Sequence, residues 1–220
     1  MDKHLGGRSL KEVMFAQEGE ELDQTHYTQC GLFALEVGLY RLYESYGLKP
    51  DVLMGHSIGE LVAAHVAGVL SLKDACKLVA ARGRLMQAMA SGGAMSSVEA
   101  SEEEVRELLA GREARVGIAA INGPRATVIS GLGEEVEELV KQFEGKGRKA
   151  RRLKVSHAFH SVMMEPMLAE YEELARGIEY GECKIAVISN LSGKRAKGEE
   201  LRGARYWVRQ VREAVRFYEG

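Results

Sequence analysis

A serine between two glycines, Gly55-His56-Ser57-Ile58-Gly59, carries the strongest chemical signal in this chain. It follows a short apolar run, Val52-Leu53-Met54, and leads into a small-residue stretch from Glu60 to Ala67. Strand, sharp turn and helix in that order read as a nucleophile elbow, in which G-x-S-x-G holds the serine in a strained turn and exposes its hydroxyl. The glycines let the helix and neighbouring strands pass close to the turn. Free N–H groups at the start of the helix can stabilise an oxyanion. The chemistry this pattern predicts is nucleophilic attack by Ser57. The plain alternative is a glycine-rich turn with a solvated serine.

A serine hydroxyl needs a base within hydrogen-bond reach. The histidines are His4, His26, His56, His65, His157 and His160. His56 sits inside the elbow and reads as structural, and His65 lies on the following helix as a packing residue. His4 and His26 fall in weakly patterned sequence. His157 and His160 share the loop Ser156-His157-Ala158-Phe159-His160-Ser161, and on spacing either serves as the base. An α/β-hydrolase would carry an acidic residue between serine and histidine in chain order. Asp74 is the only aspartate after Ser57 and is placed to start a helix; the intervening glutamates lie in caps or on helix faces. The acid position is therefore empty, which argues against an ordinary esterase and for a base oriented by something else, such as a backbone carbonyl.

Arg82 is the other unusual residue. Leu72, Ala75, Val79, Arg82, Met86 and Met89 form one stripe of a helix, five apolar residues and one guanidinium. A charge on an apolar stripe is costly unless paired, and arginine suits a two-pronged grip on a carboxylate. Arg82 thus reads either as the partner of a structural glutamate or as a pocket residue for a substrate carboxylate.

The elements that must position these groups follow from periodicity and caps. Residues up to about Gln24 are polar, and no strand is assigned there. Leu32, Phe33, Leu35, Leu39, Leu42 and Tyr43 fit one helix face, with Gly47 as the stop. Ser71 and Asp74 start the helix that carries Arg82, which runs to about Ala90. A strand at Met95 to Glu99, a helix capped by Ser101 and Glu104, strands at Val116 to Ile121 and Ala126 to Ser130, a helix at Gly133 to Lys146 and a strand at Lys149 to Val155 give the order βαββαβ. That is a ferredoxin-like unit over residues 91–155, inserted into a larger α/β domain made of 1–90 and 156–220. A helix from Met163 to Arg176, a strand at Ile185 to Ser189, and a helix with an extended end from Tyr206 to Phe217 complete the reading.

Bulk properties exclude several classes. A chain of 220 residues with 45% hydrophobic residues suits a globular fold of one large domain, or one domain with an inserted smaller one. A net charge of −2 gives no field that favours nucleic acid or a membrane surface. The densest basic cluster, Arg148 to Lys154, reads as a strand with a wet face. Cys30, Cys76 and Cys183 have no metal or redox spacing and fit free thiols in a reducing cytoplasm. No metal site is predicted, no secretory signal is visible at the first residues, and His56, Glu60 and His65 break the most apolar stretch, so no membrane span is expected.

Together these residues resemble the malonyl-CoA:acyl carrier protein transacylase family, most closely the acyltransferase domains of modular polyketide synthases. The similarity runs through Gln29 to Val37, Gly55 to Leu61, Ala63 to Leu72, Arg82-Gly83-Arg84-Leu85-Met86, Asn122-Gly123-Pro124, His157 to Ser161 and Tyr206-Trp207-Val208. The family fold is a large α/β-hydrolase-like part with a parallel sheet and a ferredoxin-like insertion. The resemblance implies that Ser57 is the acyl-accepting nucleophile and that His160 is its base. It further implies that Arg82 pairs with a malonyl carboxylate, that the Ile58 N–H forms half of the oxyanion hole, and that Gln29, His56 and Phe159 belong to the substrate-binding set. A backbone carbonyl near the chain's end would orient the histidine; Arg216 is the expected place, although Ala214 stands where the family usually has proline. The His-Ala-Phe-His form of the loop is typical of malonyl-selective members. Phe159 would narrow the space beside the α-carbon against a methyl group. No bound cofactor is implied; the substrates would be malonyl-CoA and the phosphopantetheine of an acyl carrier protein, with ketosynthase or other synthase domains as neighbours.

The family's G-Q-G strand and its E-x-G-P strand are not found here, so the chain reads as cut at both ends, with an exposed sheet edge and apolar patch expected. Two other readings compete: a serine thioesterase, which the empty acid position and Arg82 oppose, and an inactive remnant or docking module.

Overall fold

The computed structural model describes residues 1–17, 20–197 and 199–220. The polar start forms short helical pieces, a 3-10 turn at Asp2–His4 and helix α1 (Leu10–Met14), which buries Leu10 and Val13. Helix α2 (Thr25–Ser45) stops at Gly47, whose φ of +85° suits glycine. The apolar residues expected to form one face of α2 divide. Phe33 is buried, whereas Leu35, Leu42 and Tyr43 are about half exposed, at 51%, 47% and 52%. The buried side runs through Tyr27, Cys30 and Phe33 instead. Periodicity therefore marked an apolar stripe, but the packed side is set by which residues meet α3 and α4.

Strand β1 (Val52–Leu53) feeds the Ser57 turn and helix α3 (Ile58–Val66). Helix α4 (Leu72–Gln87) is started by Ser71, whose Oγ accepts from the Asp74 N–H, and it buries Ala75, Leu78, Val79 and Met86. Small residues on α3, Ala63 and Ala64, let it lie close to its neighbours, and it joins α2 and α4 in the larger apolar core.

Strand β2 (Gly93–Val98), helix α5 (Glu102–Leu109), strands β3 (Val116–Gly123) and β4 (Ala126–Leu132), helix α6 (Gly133–Gly145) and strand β5 (Ala150–Arg152) follow. The Ser101–Glu104 capping box is present in both directions. Four of these strands are antiparallel in the order β5-β2-β4-β3. Helices α5 and α6 cover one face through Val105, Leu109, Leu139 and Phe143. The other face, with Met95, Ala119, Ala120 and Val128, meets Phe159.

Helix α7 (Glu165–Arg176) packs against α4 and α8 (Ala204–Arg212), while β6 (Ala186–Val187) lies parallel to β1 in register Val52↔Ala186 and Leu53↔Val187. The last strand, β7 (Val215–Arg216), adds to the second sheet beside β3, in parallel. That sheet therefore draws a fifth strand from the 156–220 segment, outside the range the alternation pattern assigns to it. Arg216 strengthens this crossing by pairing with Glu102 on α5.

Candidate active site

The turn after β1 has the backbone that the glycine spacing predicts. Ser57 has φ 55° and ψ −104°, a left-handed conformation rarely taken by a residue with a side chain. Gly55 is required by contact: a Cβ there would lie 2.1 Å from the carbonyl carbon and oxygen of Gly59. At Gly59 a Cβ would come within 3.2 Å of Glu36 Oε2. Gly55 thus admits the close pass of α3 over the turn, while Gly59 leaves room for the Glu36 carboxylate on α2.

Two side chains meet the Ser57 hydroxyl, and a third supports one of them. Its Oγ lies 2.7 Å from His160 Nε2 and accepts from Arg82 Nη2 at 2.8 Å. His160 has φ 53°, is 5% exposed, and donates Nδ1–H to the Glu213 carbonyl at 3.0 Å. That bond fixes the tautomer, so Nε2 faces the serine as an acceptor. Arg82 donates Nη1–H to Gln29 Oε1 at 2.6 Å, and the Gln29 amide rests 2.9 Å from Met86 Sδ. Among the described residues Arg82 makes no ion pair, and its buried Nε has no partner.

The electrostatics follow from burial. Desolvation, and then the Arg82 cation, hold His160 down to about 3, so the imidazole is neutral at physiological pH and able to accept a proton. Burial lowers Arg82 to about 10, which leaves it charged. The Ile58 N–H opens α3 and, as a first-turn amide, has no intrahelical acceptor; it lies directly after Ser57 in the chain, beside its hydroxyl-bearing turn.

Ser57, His160, Arg82 and Gln29 are thus brought together. Ile58 and Phe159 line the same cavity, of about 800 Å³, between the helical core and the second sheet. His56 also lines it, with Nε2 2.9 Å from Asn122 Oδ1 and its ring 5.2 Å from Phe217; this ties the elbow to β3. The two loop histidines are separated by geometry, since His157 Nδ1 lies against Ser156 Oγ at 3.0 Å, with no bond to Ser57. His65 bonds the Leu70 carbonyl, just beyond the end of α3, in the packing role expected for it.

Arg216 is the correction. The carbonyl that orients His160 belongs to Glu213, at the C-cap of α8, while the Arg216 guanidinium pairs with Glu102 and Glu219. The helix ends before Glu213 and turns its free carbonyl inward, and Arg216 is already in β7. Asn122, near the end of β3, carries no sequence signal of its own for the contact with the elbow. The arginine stripe, by contrast, had marked a side chain out of place.

No helix is long and apolar enough to cross a membrane, and among the described residues no group of three or more His, Cys, Asp or Glu could hold a metal ion.

A family model described as "Acyl transferase domain" matches residues 3–220. The chain is 58% identical over 209 residues to polyketide synthase GfsA of Streptomyces halstedii, covering 95% of this chain and 3% of that protein. It is 53% identical over 217 residues to mycoketide-CoA synthase of Mycobacterium tuberculosis, covering 99% of this chain and 5% of that protein. The chain thus spans only a small part of the curated relatives it matches. Among solved structures, the acyltransferase domain from the second module of the salinomycin polyketide synthase superposes with a TM-score of 0.94 at 52% identity, covering 100% of this chain and 51% of that one. The malonyl CoA-acyl carrier protein transacylase of Coxiella burnetii superposes with a TM-score of 0.87 at 31% identity, covering 94% and 68%.

Proposed function

The chain belongs to the acyl transferase domain family, and from that premise we propose that it moves a malonyl group from malonyl-CoA to the phosphopantetheine thiol of an acyl carrier protein. The transfer passes through an acyl-Ser57 intermediate and serves polyketide or fatty acid assembly beside ketosynthase or other synthase domains. The observation that carries this reading is Arg82: a buried guanidinium 2.8 Å from the Ser57 hydroxyl that has no carboxylate partner among the described residues. An unpaired buried cation is costly, and a carboxylate one methylene away from the thioester carbonyl would pair with it while that carbonyl meets Ser57.

The steps use the groups as they stand. Arg82 and Gln29 hold the malonyl carboxylate. Ser57 Oγ attacks the thioester carbonyl as its proton passes to His160 Nε2, and the resulting oxyanion takes the Ile58 N–H. Collapse breaks the carbon–sulfur bond, and the CoA sulfur takes the proton from His160. The carrier's thiol then gives its proton to His160, attacks the acyl-serine and regenerates the hydroxyl. A carboxylate bound to Arg82 also offsets the cation that depresses His160, so substrate binding strengthens the base when it is needed. Phe159 lines the same cavity, and in this reading it stands beside the substrate's α-carbon, where excluding one methyl is worth about 1–3 kcal/mol.

Incubation with malonyl-CoA followed by intact-protein mass measurement tests the reading. A malonyl increment is expected on the parent and none on Ser57→Ala. Arg82→Ala is expected to slow malonyl loading by about 100-fold, the order for breaking a buried charge pair, with acetyl loading changed only a few-fold. Equal loss with both acyl groups would refute the carboxylate role.

A further inference from the structure

Two buried amides that the reaction steps leave unused, on Asn190 and Gln210, grip the reactive turn from behind. We propose that Asn190 and Gln210 are positioning residues: they lock the left-handed backbone of Ser57, and α8 couples that lock to the carbonyl that orients His160. The inference rests on the acyl-Ser57 reading above and concerns how that serine is held.

The two peptide units that flank Ser57 are both anchored. Its N–H donates to Asn190 Oδ1 at 2.8 Å, and its C=O accepts from Gln210 Nε2 at 2.7 Å. Asn190 Nδ2 also donates to the Gly55 C=O at 2.7 Å. Rotation of Ser57 toward ordinary φ and ψ would swing one of these peptide groups off its amide. Such strain persists only where the surroundings over-determine it, and here they do. The Ser57 N–H is also consumed, which leaves the Ile58 N–H as the neighbouring amide open to an oxyanion.

The anchors are themselves fixed. Asn190 and Gln210 are each 1% exposed. The Asn190 N–H donates to Glu60 Oε1 at 2.9 Å, and its C=O accepts from the Arg216 N–H at 2.8 Å. Tyr206 hydrogen-bonds Glu60 and, at 2.8 Å, Ser189. Gln210 lies on α8, three residues before Glu213, whose carbonyl takes the His160 Nδ1–H. The fully buried Trp207 holds that helix down and donates Nε1–H to the Leu201 C=O at 3.1 Å. One short helix therefore fixes the nucleophile's backbone and the base's orientation together.

Gln210→Met keeps the length and removes the donor. Two rates are measured on folded protein: inactivation of Ser57 by a fluorophosphonate, which needs no acyl-group recognition, and loading from malonyl-CoA with its apparent KM. Both rates are expected to fall on the order of 10- to 100-fold, as for a nucleophile displaced by a fraction of an ångström to an ångström, while KM stays within about two-fold. Rates within about two-fold of the parent, or an effect confined to KM, would overturn the proposal. If neither protein loads malonyl but the fluorophosphonate contrast persists, the substrate reading fails and the positioning role stands. Should Gln210→Met fail to fold by circular dichroism, Gln210→Asn withdraws the donor by one methylene and is judged by the same rates.

Discussion

At the Ser57 turn the side-chain partners come from 25 to 153 positions away along the chain; in the unit built from β2 to β5 with α5 and α6, many come from nearby. Ser57 meets His160 across 103 positions, Asn190 across 133 and Gln210 across 153. In the sheet unit Ser101 caps α5 with a residue three positions on, and Glu102 pairs with Arg106 four positions on. The two regions also tolerate different defects. Among the described residues, the buried side-chain atoms without a partner include Glu60 Oε2, Arg82 Nε and Gln210 Oε1 at the site, but only Ser130 Oγ in the sheet unit. The site thus concentrates strain, buried charge and unmet polar groups, each of which costs stability. The sheet unit offers the low-strain wall against which that arrangement is held.

Gly55→Ala is the largest expected break in this contrast. The new Cβ would meet backbone, 2.1 Å from Gly59 and 2.6 Å from the Glu60 nitrogen, so no side chain can move aside to admit it. The turn itself must shift. A loss of about 3 kcal/mol in stability is expected in denaturant titration. With Ser57 as the proposed nucleophile, loading should fall by at least about 1,000-fold even in protein that remains folded, because the Ser57 hydroxyl leaves its geometry. A variant that loads within about ten-fold of the parent would show that the turn is not over-determined.

Glu60→Gln acts on the same network through pH. Burial raises the Glu60 carboxyl from 4.5 to about 7, against hydrogen bonds from Tyr206, Asn190 and Gln210 that lower it. The unfolded chain loses this proton near 4.5 while the folded chain keeps it to about 7. Glu60 therefore contributes stability that is full below about pH 4.5 and is lost as pH rises through 7, a swing of about 3 kcal/mol. His160 has the opposite sign: its folded value of about 3 gives stability that is present above 6.5 and lost as pH falls. In the parent the two trends oppose each other. Glutamine keeps an acceptor for Asn190 and adds a donor that suits the orphaned Gln210 Oε1. Relative to the parent, Glu60→Gln should gain about 3 kcal/mol between pH 4.5 and pH 8 in chemical denaturation. A constant difference across that range would mean that Glu60 titrates normally in the fold.

The same contrast decides what was legible in the sequence. The Ser71 and Ser101 helix caps, the alternation of β3 and β4 and the G-x-S-x-G spacing are local patterns, and each produced the element it implied. Arg82 was legible because a charge interrupts an apolar stripe. Asn190 and Gln210 were not, since a polar side chain at the end of a strand or inside a helix has no local mark of a partner more than 100 positions away. The Glu213 carbonyl is harder still: every residue has one, so placing the support at Arg216 missed by three positions. On α2 the periodicity revealed an apolar stripe but not which part of it another element covers, and Leu35, Leu42 and Tyr43 remain about half exposed.

Ser101→Ala is the smallest effect and the strictest test of whether the two regions are separable. Ser101 Oγ accepts the Glu104 N–H, and the Glu104 carboxylate accepts the Ser101 N–H, so both bonds are local to the first turn of α5. Losing this cap costs about 1 kcal/mol, a fall of roughly 2–4 °C in Tm for a chain of this size. A route to the site does exist: Glu102, the first residue of α5, holds Arg216, whose N–H donates to the Asn190 carbonyl. Arg216 is also tied to Glu219 and by β7 to β3, so a frayed α5 should leave it in place. Malonyl loading by Ser101→Ala is therefore expected within about two-fold of the parent, and its stability loss should add to that of Gln210→Met within about 0.5 kcal/mol. A coupling larger than that would mean that the local cap of the sheet unit reaches the nucleophile through Glu102, Arg216 and Asn190, and that the wall and the site fold as one network.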